Sequence, residues 1–198
     1  DAAAWCNSTG NQLISKETAG GKSVVVIEKG EPKSCNIVTS CEGKGKTFIM
    51  FSDDLDKALA TFVLANGAAA TGQKVTIFFT FWGLNVIKKL HKPNVEKDIF
   101  GKMFGMMLPS SSRKLKLSKM SMGGIGGKMM RYIMNRKGID SLESLRQQAL
   151  ENGVEFIACQ MSMDVMGVKQ EELLDEVTIG GVATYMERAD NANINLFI

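Results

Sequence analysis

An α/β fold is predicted by three short apolar runs, KTFIMFS (46–52), KVTIFFTF (74–81) and VEFIACQ (154–160), each separated from the next by helix-forming sequence. Runs of this length bounded by turn residues fit strands buried on both faces, and their alternation with amphipathic helices builds βαβ units. The expected architecture over 46–198 is a mostly parallel open sheet of about five strands with helices on both faces. An N-terminal helix and a β-hairpin over 1–30 precede it, joined by a linker over 31–45.

Each element has a local reason. Residues 2–8 are expected to be helical, with Gly10 as the stop, and QLISKETAGGKSVVVIEKG reads as two strands joined across Gly20-Gly21. Pro32, Gly43 and Gly45 mark the polar linker. Ser52, Asp53 and Asp54 form a helix start whose carboxylates suit the positive end of the dipole, and capping accounts for this acidic pair without a catalytic role. That helix should run to about Thr71, with Leu55, Leu59, Phe62, Val63 and Asn66 on one face and Gly72 as a left-handed stop. Residues 90–138, rich in Met, Gly, Ser and Lys, break the pattern and read as an inserted lid. Regular order resumes where Asp140 and Glu143 have capping-box spacing and Leu142, Leu145 and Ala149 form a stripe. A short helix over 169–176, a strand over 177–179, a helix over 181–189 and a last strand NINLFI complete the series.

A chain of 198 residues, 44% of them hydrophobic, can bury one sizeable core plus an appendage. The first residue is Asp1 and no leader pattern follows, so a piece of a longer protein is expected. The longest apolar stretch, 75–86, is broken by Thr76, Thr80, Gly83 and Asn85, which argues against a spanning helix. Four irregularly spaced cysteines, Cys6, Cys35, Cys41 and Cys159, point to a reducing, cytoplasmic setting rather than a disulfide scaffold. Net charge is +3, yet nine Lys or Arg and no Asp or Glu fall between residues 99 and 139, so the rest of the chain is net acidic.

Cys159 ends the third strand, at the edge where open α/β sheets place their ligands. Ser162, with Asp164, is expected to support a helix cap beside the thiol, bringing backbone amides toward the sulfur. The competing reading is that Cys159 is a buried apolar residue. Eleven of thirteen methionines lie between Met103 and Met166, and are expected to line the thiol's surroundings with soft, uncharged groups. Cys35 and Cys41 are candidate relay thiols on the linker, against the reading of two ordinary surface cysteines. No metal site is expected, since His91 is the one histidine and there is no Cys-x-x-Cys pair. MGGIGGKMM (122–130) fits neither phosphate-loop spacing and reads as a hinge. With few aromatics beside its basic residues the 99–139 segment argues against nucleic acid, while peripheral membrane contact and an acidic partner stay open.

The blocks FIMFSDDLDKALATFVLANGAAATG, VTIFFTFWGLN, GGIGGKMM, ACQMSMDVMG and IGGVATYMERA together resemble the DsrE/DsrF-like family, in the subgroup labelled peroxiredoxin-like. The resemblance implies a compact α/β sulfur-relay domain that forms a homo-oligomer and carries a persulfide on the cysteine matching Cys159. Its implied partners are sulfur donor and acceptor proteins or low-molecular-weight thiols, with no cofactor in this chain. The opening residues 1–30 resemble the second half of a TusA (SirA-like) carrier domain. That family's Cys-Pro-x-Pro motif is absent here, so Cys6 is not its sulfur-carrying residue. In related multidomain proteins a coenzyme A disulfide reductase-like flavoprotein and a rhodanese precede such a pair. Two other classes compete: a non-catalytic binding or assembly module docking through the Met-rich basic segment, and a thiol peroxidase, for which the Thr-x-x-Cys pocket and a neighbouring arginine are missing.

Overall fold

Every residue of Val75–Phe79 is buried, which a strand achieves only at the centre of a sheet covered on both faces. A computed structural model describes residues 12–19, 22–28, 45–91, 93, 95 and 99–198. The chain divides into two units, Asp1–Cys41 and Glu42–Ile198. In the first, β1 (Gln12–Ala19) pairs antiparallel with β2 (Lys22–Glu28), placing Ala19 opposite Lys22, with a register irregularity between Leu13 and Ser15. The expected helix at 2–8, the Gly20-Gly21 turn and residues 31–44 of the linker lie outside the described residues.

The second unit contains β3 (Gly45–Met50), α1 (Leu55–Ala70), β4 (Val75–Phe79), a 3-10 helix (Phe81–Ile87), α2 (Ile99–Met107) and α3 (Ile125–Arg136). It continues with α4 (Leu142–Glu151), β5 (Glu155–Cys159), α5 (Gln160–Met166), β6 (Thr178–Gly180), α6 (Val182–Asp190) and β7 (Ala192–Phe197). Five strands pair in the order β6-β5-β4-β3-β7, and every pairing is parallel. The expected sheet therefore forms, with helices on both faces.

Alternation along the strands divides the interior in two. Phe48, Met50, Ile77, Phe79, Phe156 and Ala158 join Leu55, Phe62 and Leu142 in the large core. Phe62, Phe79 and Phe156 sit at its centre with ring centroids 5.4 to 6.4 Å apart. On the opposite face a small cluster gathers Phe78, Ile157 and Cys159 under Tyr185 of α6. Truncating a core phenylalanine of this kind costs about 3–5 kcal/mol.

The helices depart from the expected pattern in instructive ways. The buried stripe of α1 is Leu55, Ala58, Thr61, Phe62 and Ala65, while Val63 is 56% exposed. Small residues let the helix lie close on the sheet, so the stripe runs through alanines that a search for bulky residues passes over. Asn66 donates to the carbonyl of Leu145 at 2.9 Å and so ties α1 to α4. The N-cap of α4 is Ser141, whose Oγ accepts from the Ser144 amide, and not Asp140. Glu143 is drawn away from a capping box because Arg131 and Ser112 both donate to it. The helix expected over 169–176 shrinks to one 3-10 turn at Gln170–Glu172, stopped as Leu173 turns into the core.

Segment 90–138 is woven into the domain. Leu115 and Met134 are buried, and the amide of Leu55, an unpaired donor in the first turn of α1, donates to the Lys116 carbonyl at 2.7 Å. Asp56 accepts from both the amide and the hydroxyl of Ser118. Arg131 donates to the Ser112 carbonyl as well as to Glu143. Gly101 of α2 lies so close to Gly167, the left-handed residue ending α5, that a Cβ there would sit 2.4 Å from the Gly101 Cα. The inserted segment thus braces both the start of α1 and the end of α5.

Gly83 marks where the chain after β4 crosses β3. Its amide donates to the Phe51 carbonyl at 2.8 Å, and an added Cβ would fall 1.9 Å from the Met50 carbonyl oxygen. Backbone cannot yield as a flexible side chain can, so Gly83→Ala is expected to destabilise the domain by more than about 2 kcal/mol, read from urea unfolding midpoints.

Candidate functional site

The carboxyl ends of β3, β4 and β5 assemble one edge of the sheet from Phe51 to Asp54, Thr80 to Gly83 and Cys159 to Ser162. Parallel strands force this collection, because each βα connection must leave from the same edge. Phe81 occupies left-handed backbone space, with φ 47°, which is unfavourable for a bulky residue and is held by its surroundings. Its ring packs at 5.5 Å from Phe51, which in turn lies 5.6 Å from Phe197 at the end of β7.

Cys159 is the last residue of β5 and the N-cap residue of α5, in extended backbone conformation. It is only 2% exposed. Its side chain makes no capping hydrogen bond to the helix. The thiol shares its cluster with Phe78, Ile157 and Tyr185, flanked by Ile49 and Ala189. The expected methionine lining is therefore replaced by aromatic and aliphatic groups. Met163 and Met166 of α5 turn instead into the large core, and Met161 points to solvent, 57% exposed.

Ser162 does not act as a cap. It lies inside α5, fully buried, and its hydroxyl bonds that of Thr80 at 2.8 Å, fastening α5 to the end of β4. The helix begins one residue after Cys159, which puts Ser162 a full turn too far along to receive the first amides. Asp164 is likewise no cap; it is exposed and accepts from Gln160 at 3.0 Å, an i,i+4 pair on the outer face. Cys35 and Cys41 lie outside the described residues. No cluster of three or more His, Cys, Asp or Glu side chains able to hold a metal occurs among the described residues, and no helix among them is long and apolar enough to cross a membrane.

A second feature of the same edge was not legible in the sequence. Asp53 lines a cavity of about 900 Å³ between the start of α1 and the inserted segment, whose other walls include Met106, Met107, Leu117, Lys114 and Lys116. Cys159 does not line this cavity. Asp54 is satisfied by Ser52 and Lys57, whereas Asp53 accepts from the amide nitrogen of Asn85 at 2.9 Å. Asn85 is wholly buried, and its Oδ1 has no partner among the described residues. Burial raises the Asp53 carboxyl above the ordinary 3.8, and Asp54 repels its charged form; the Asn85 bond and Lys88 oppose them without prevailing. The sequence signal, an asparagine inside an apolar run after β4, was visible only as a break in hydrophobicity.

The model of the DsrE/DsrF/DrsH-like family matches residues 43–197. The "Uncharacterized protein YrkE" of Bacillus subtilis (strain 168) is 44% identical over 155 residues, covering 78% of this chain and 97% of that protein. The "Sulfur carrier protein DsrE2" of Allochromatium vinosum is 38% identical over 161 residues, covering 79% and 99% respectively. Among solved structures, the YchN protein from E. coli superposes with a TM-score of 0.47 at 11% identity, covering 78% of this chain and 99% of that one.

A carboxyl whose folded value lies above its unfolded one binds more protons in the folded state, so its contribution to stability is complete below 3.8 and is lost as pH rises through the raised value. The Asp53→Asn variant lacks this loss. Its stability relative to the parent is therefore expected to improve as pH rises above about 4 and to level off once the raised carboxyl has lost its proton, measured by urea unfolding at a series of pH values.

Proposed function

The chain belongs to the DsrE/DsrF/DrsH-like family, and from that premise we propose that it is a sulfur carrier in which Cys159 holds a sulfane sulfur as a persulfide. The observation that carries the reading is the position of Cys159: the last residue of β5, at the ligand-bearing edge of a parallel sheet and at the head of α5. The name of the 38% identical relative, a sulfur carrier protein, supports the same chemistry.

The transfer balances without an external oxidant or reductant. The Cys159 thiolate attacks the outer sulfur of a donor persulfide; that sulfur's bond to the donor breaks, a new S–S bond to Cys159 forms, and the donor leaves as a thiolate. An acceptor thiolate repeats the exchange in the second half and restores Cys159. The donor and acceptor classes are protein thiols or low-molecular-weight thiols, in a reducing compartment. The apolar walls of Phe78, Ile157 and Tyr185 exclude water and stray thiols from the sulfur once loaded. Residues 1–30, with the β1–β2 hairpin, read as part of an adjoining carrier domain of TusA type, and a homo-oligomer is supported by the exposed apolar side chains of the edge strand β7, Ile194, Leu196 and Phe197.

A binding role for the inserted segment is favoured by a separate observation and is compatible with sulfur transfer. Met106, Met107, Met120, Met122 and Ile125 are all more than 60% exposed amid lysines and arginines without acidic counterparts. Adaptable apolar side chains ringed by positive charge suit an acidic protein partner.

Incubation with a persulfide donor, followed by intact-mass measurement, is expected to add one sulfur atom to the protein, with Cys159→Ser adding none at that site. Equal uptake by Cys159→Ser would end the carrier reading. Met106→Ser with Met107→Ser should leave sulfur loading unchanged, since both side chains stand clear of the thiol cluster.

A further inference from the structure

A thiol that exchanges sulfur has to be approached along the line of the S–S bond it makes and breaks, and a cysteine 2% exposed offers no such approach. Three of the walls around Cys159 belong to the sheet: Phe78 on β4, Ile157 on β5 and Ile49 on β3. Parallel pairing fixes the backbone of all three. The other two, Tyr185 and Ala189, belong to the nine-residue helix α6, of which Tyr185 is the one buried residue.

Helix α6 is lightly held. Val182 and Met186 are more than half exposed, and Gly181, its N-cap, supplies no side-chain cap. Gly180 lets the helix start lie directly on the strand, since a Cβ there would come within 2.8 Å of the Ile157 side chain. At the other end Arg188 pairs with Glu155 at 3.0 Å, and its hydrogen bonds, with that of Thr76, outweigh burial and hold the Glu155 carboxyl below its ordinary value. The helix is thus anchored by Arg188 at the amino edge of the sheet, while Tyr185, midway along it, joins the thiol's cluster through its ring.

Tyr185 has two holds of its own. Its ring packs on Phe78 at 5.2 Å, and its hydroxyl lies 3.3 Å from Thr47 Oγ1. Thr47 spends its single hydroxyl proton on Asn195 Oδ1, so Tyr185 is the donor in the second bond. At 3.3 Å that bond is long for a pair of hydroxyls and makes a weak latch.

We propose that Tyr185 is the gate of Cys159: release of its hydroxyl from Thr47 and withdrawal of its ring with α6 open the thiol to donor and acceptor, and its return shuts the loaded sulfur away from water. This rests on the carrier reading of Cys159. It assigns Tyr185 a positioning role, since the residue takes no part in the exchange itself.

The test is the rate at which iodoacetamide alkylates Cys159 in the full chain, followed by peptide mass spectrometry. The native rate should lie well below that of the urea-unfolded chain. Tyr185→Phe keeps the ring and loses the latch, and should raise the rate roughly fivefold, the size of one neutral hydrogen bond. Tyr185→Ala should raise it further. Because local opening exposes little surface, the parent rate should be almost independent of low urea concentrations, whereas access through global unfolding would follow the full denaturant slope. A native rate matching the unfolded chain, no change in Tyr185→Phe, or a full denaturant slope in the parent each overturns the gate. Sulfur uptake, read separately by intact mass, keeps the two ideas apart. Faster alkylation of Tyr185→Phe without any sulfur uptake retains the gate and removes the carrier reading. Uptake by a chain whose alkylation ignores Tyr185 does the reverse.

Discussion

Parallel pairing of three strands buried on both faces, β3, β4 and β5, is the constraint on which the rest of this molecule depends. It sends every βα connection out of one edge, and so gathers Asp53, Thr80, Phe81 and Cys159, residues far apart in the chain, along a single rim. Toward their carboxyl ends the strands are apolar because each contributes to two cores, while Lys46, Thr47, Thr76 and Glu155 lie toward their amino ends. Side chains alternate between a large aromatic interior under α1 and α4 and a small one under α6. The thiol falls to the small side, and this single parity, Ile157 and Cys159 against Phe156 and Ala158, determines which helix covers it.

The unequal thickness of the two faces has consequences for chemistry. On the large side, removing any element would expose several aromatic rings, so that face is committed to stability. On the small side one tyrosine closes the cover, and the free energy holding it there is of the order of one buried side chain and one hydrogen bond, roughly 2–4 kcal/mol. A group buried behind so small a barrier is protected most of the time and reached often. That combination suits a reactive sulfur better than permanent exposure or permanent burial.

The inserted segment contributes in a different way. It satisfies the first-turn amide of α1, holds Asp56, and presses Gly101 against Gly167 at the end of the thiol-bearing helix. Met103, Met106, Met107, Met120, Met122 and Met129 are exposed or line the cavity at Asp53, Met130 and Met134 turn inward, and the thiol's own cluster contains none of them. Methionine abundance in the chain therefore serves the surface, the neighbouring cavity and the large core, while the sulfur's own enclosure is aromatic and aliphatic.

Much of this architecture is written in local patterns: apolar runs of strand length, the helix stop at Gly72, the βα alternation, and the placing of Cys159 at a strand end follow from periodicity and turn chemistry, which act over a few residues. The family resemblance also rests on contiguous blocks. What tertiary structure alone decided concerns partners distant in sequence. Ser162 bonds Thr80 from 82 positions away instead of capping its own helix, and Glu143 is claimed by Arg131 and Ser112. Asp53 meets a buried asparagine across the crossover. The face on which the thiol lies is marked in the strands by Thr47, Thr76 and Glu155, which share its parity, but the helix that covers this face is decided only by packing, where Tyr185 meets Thr47 and Arg188 meets Glu155.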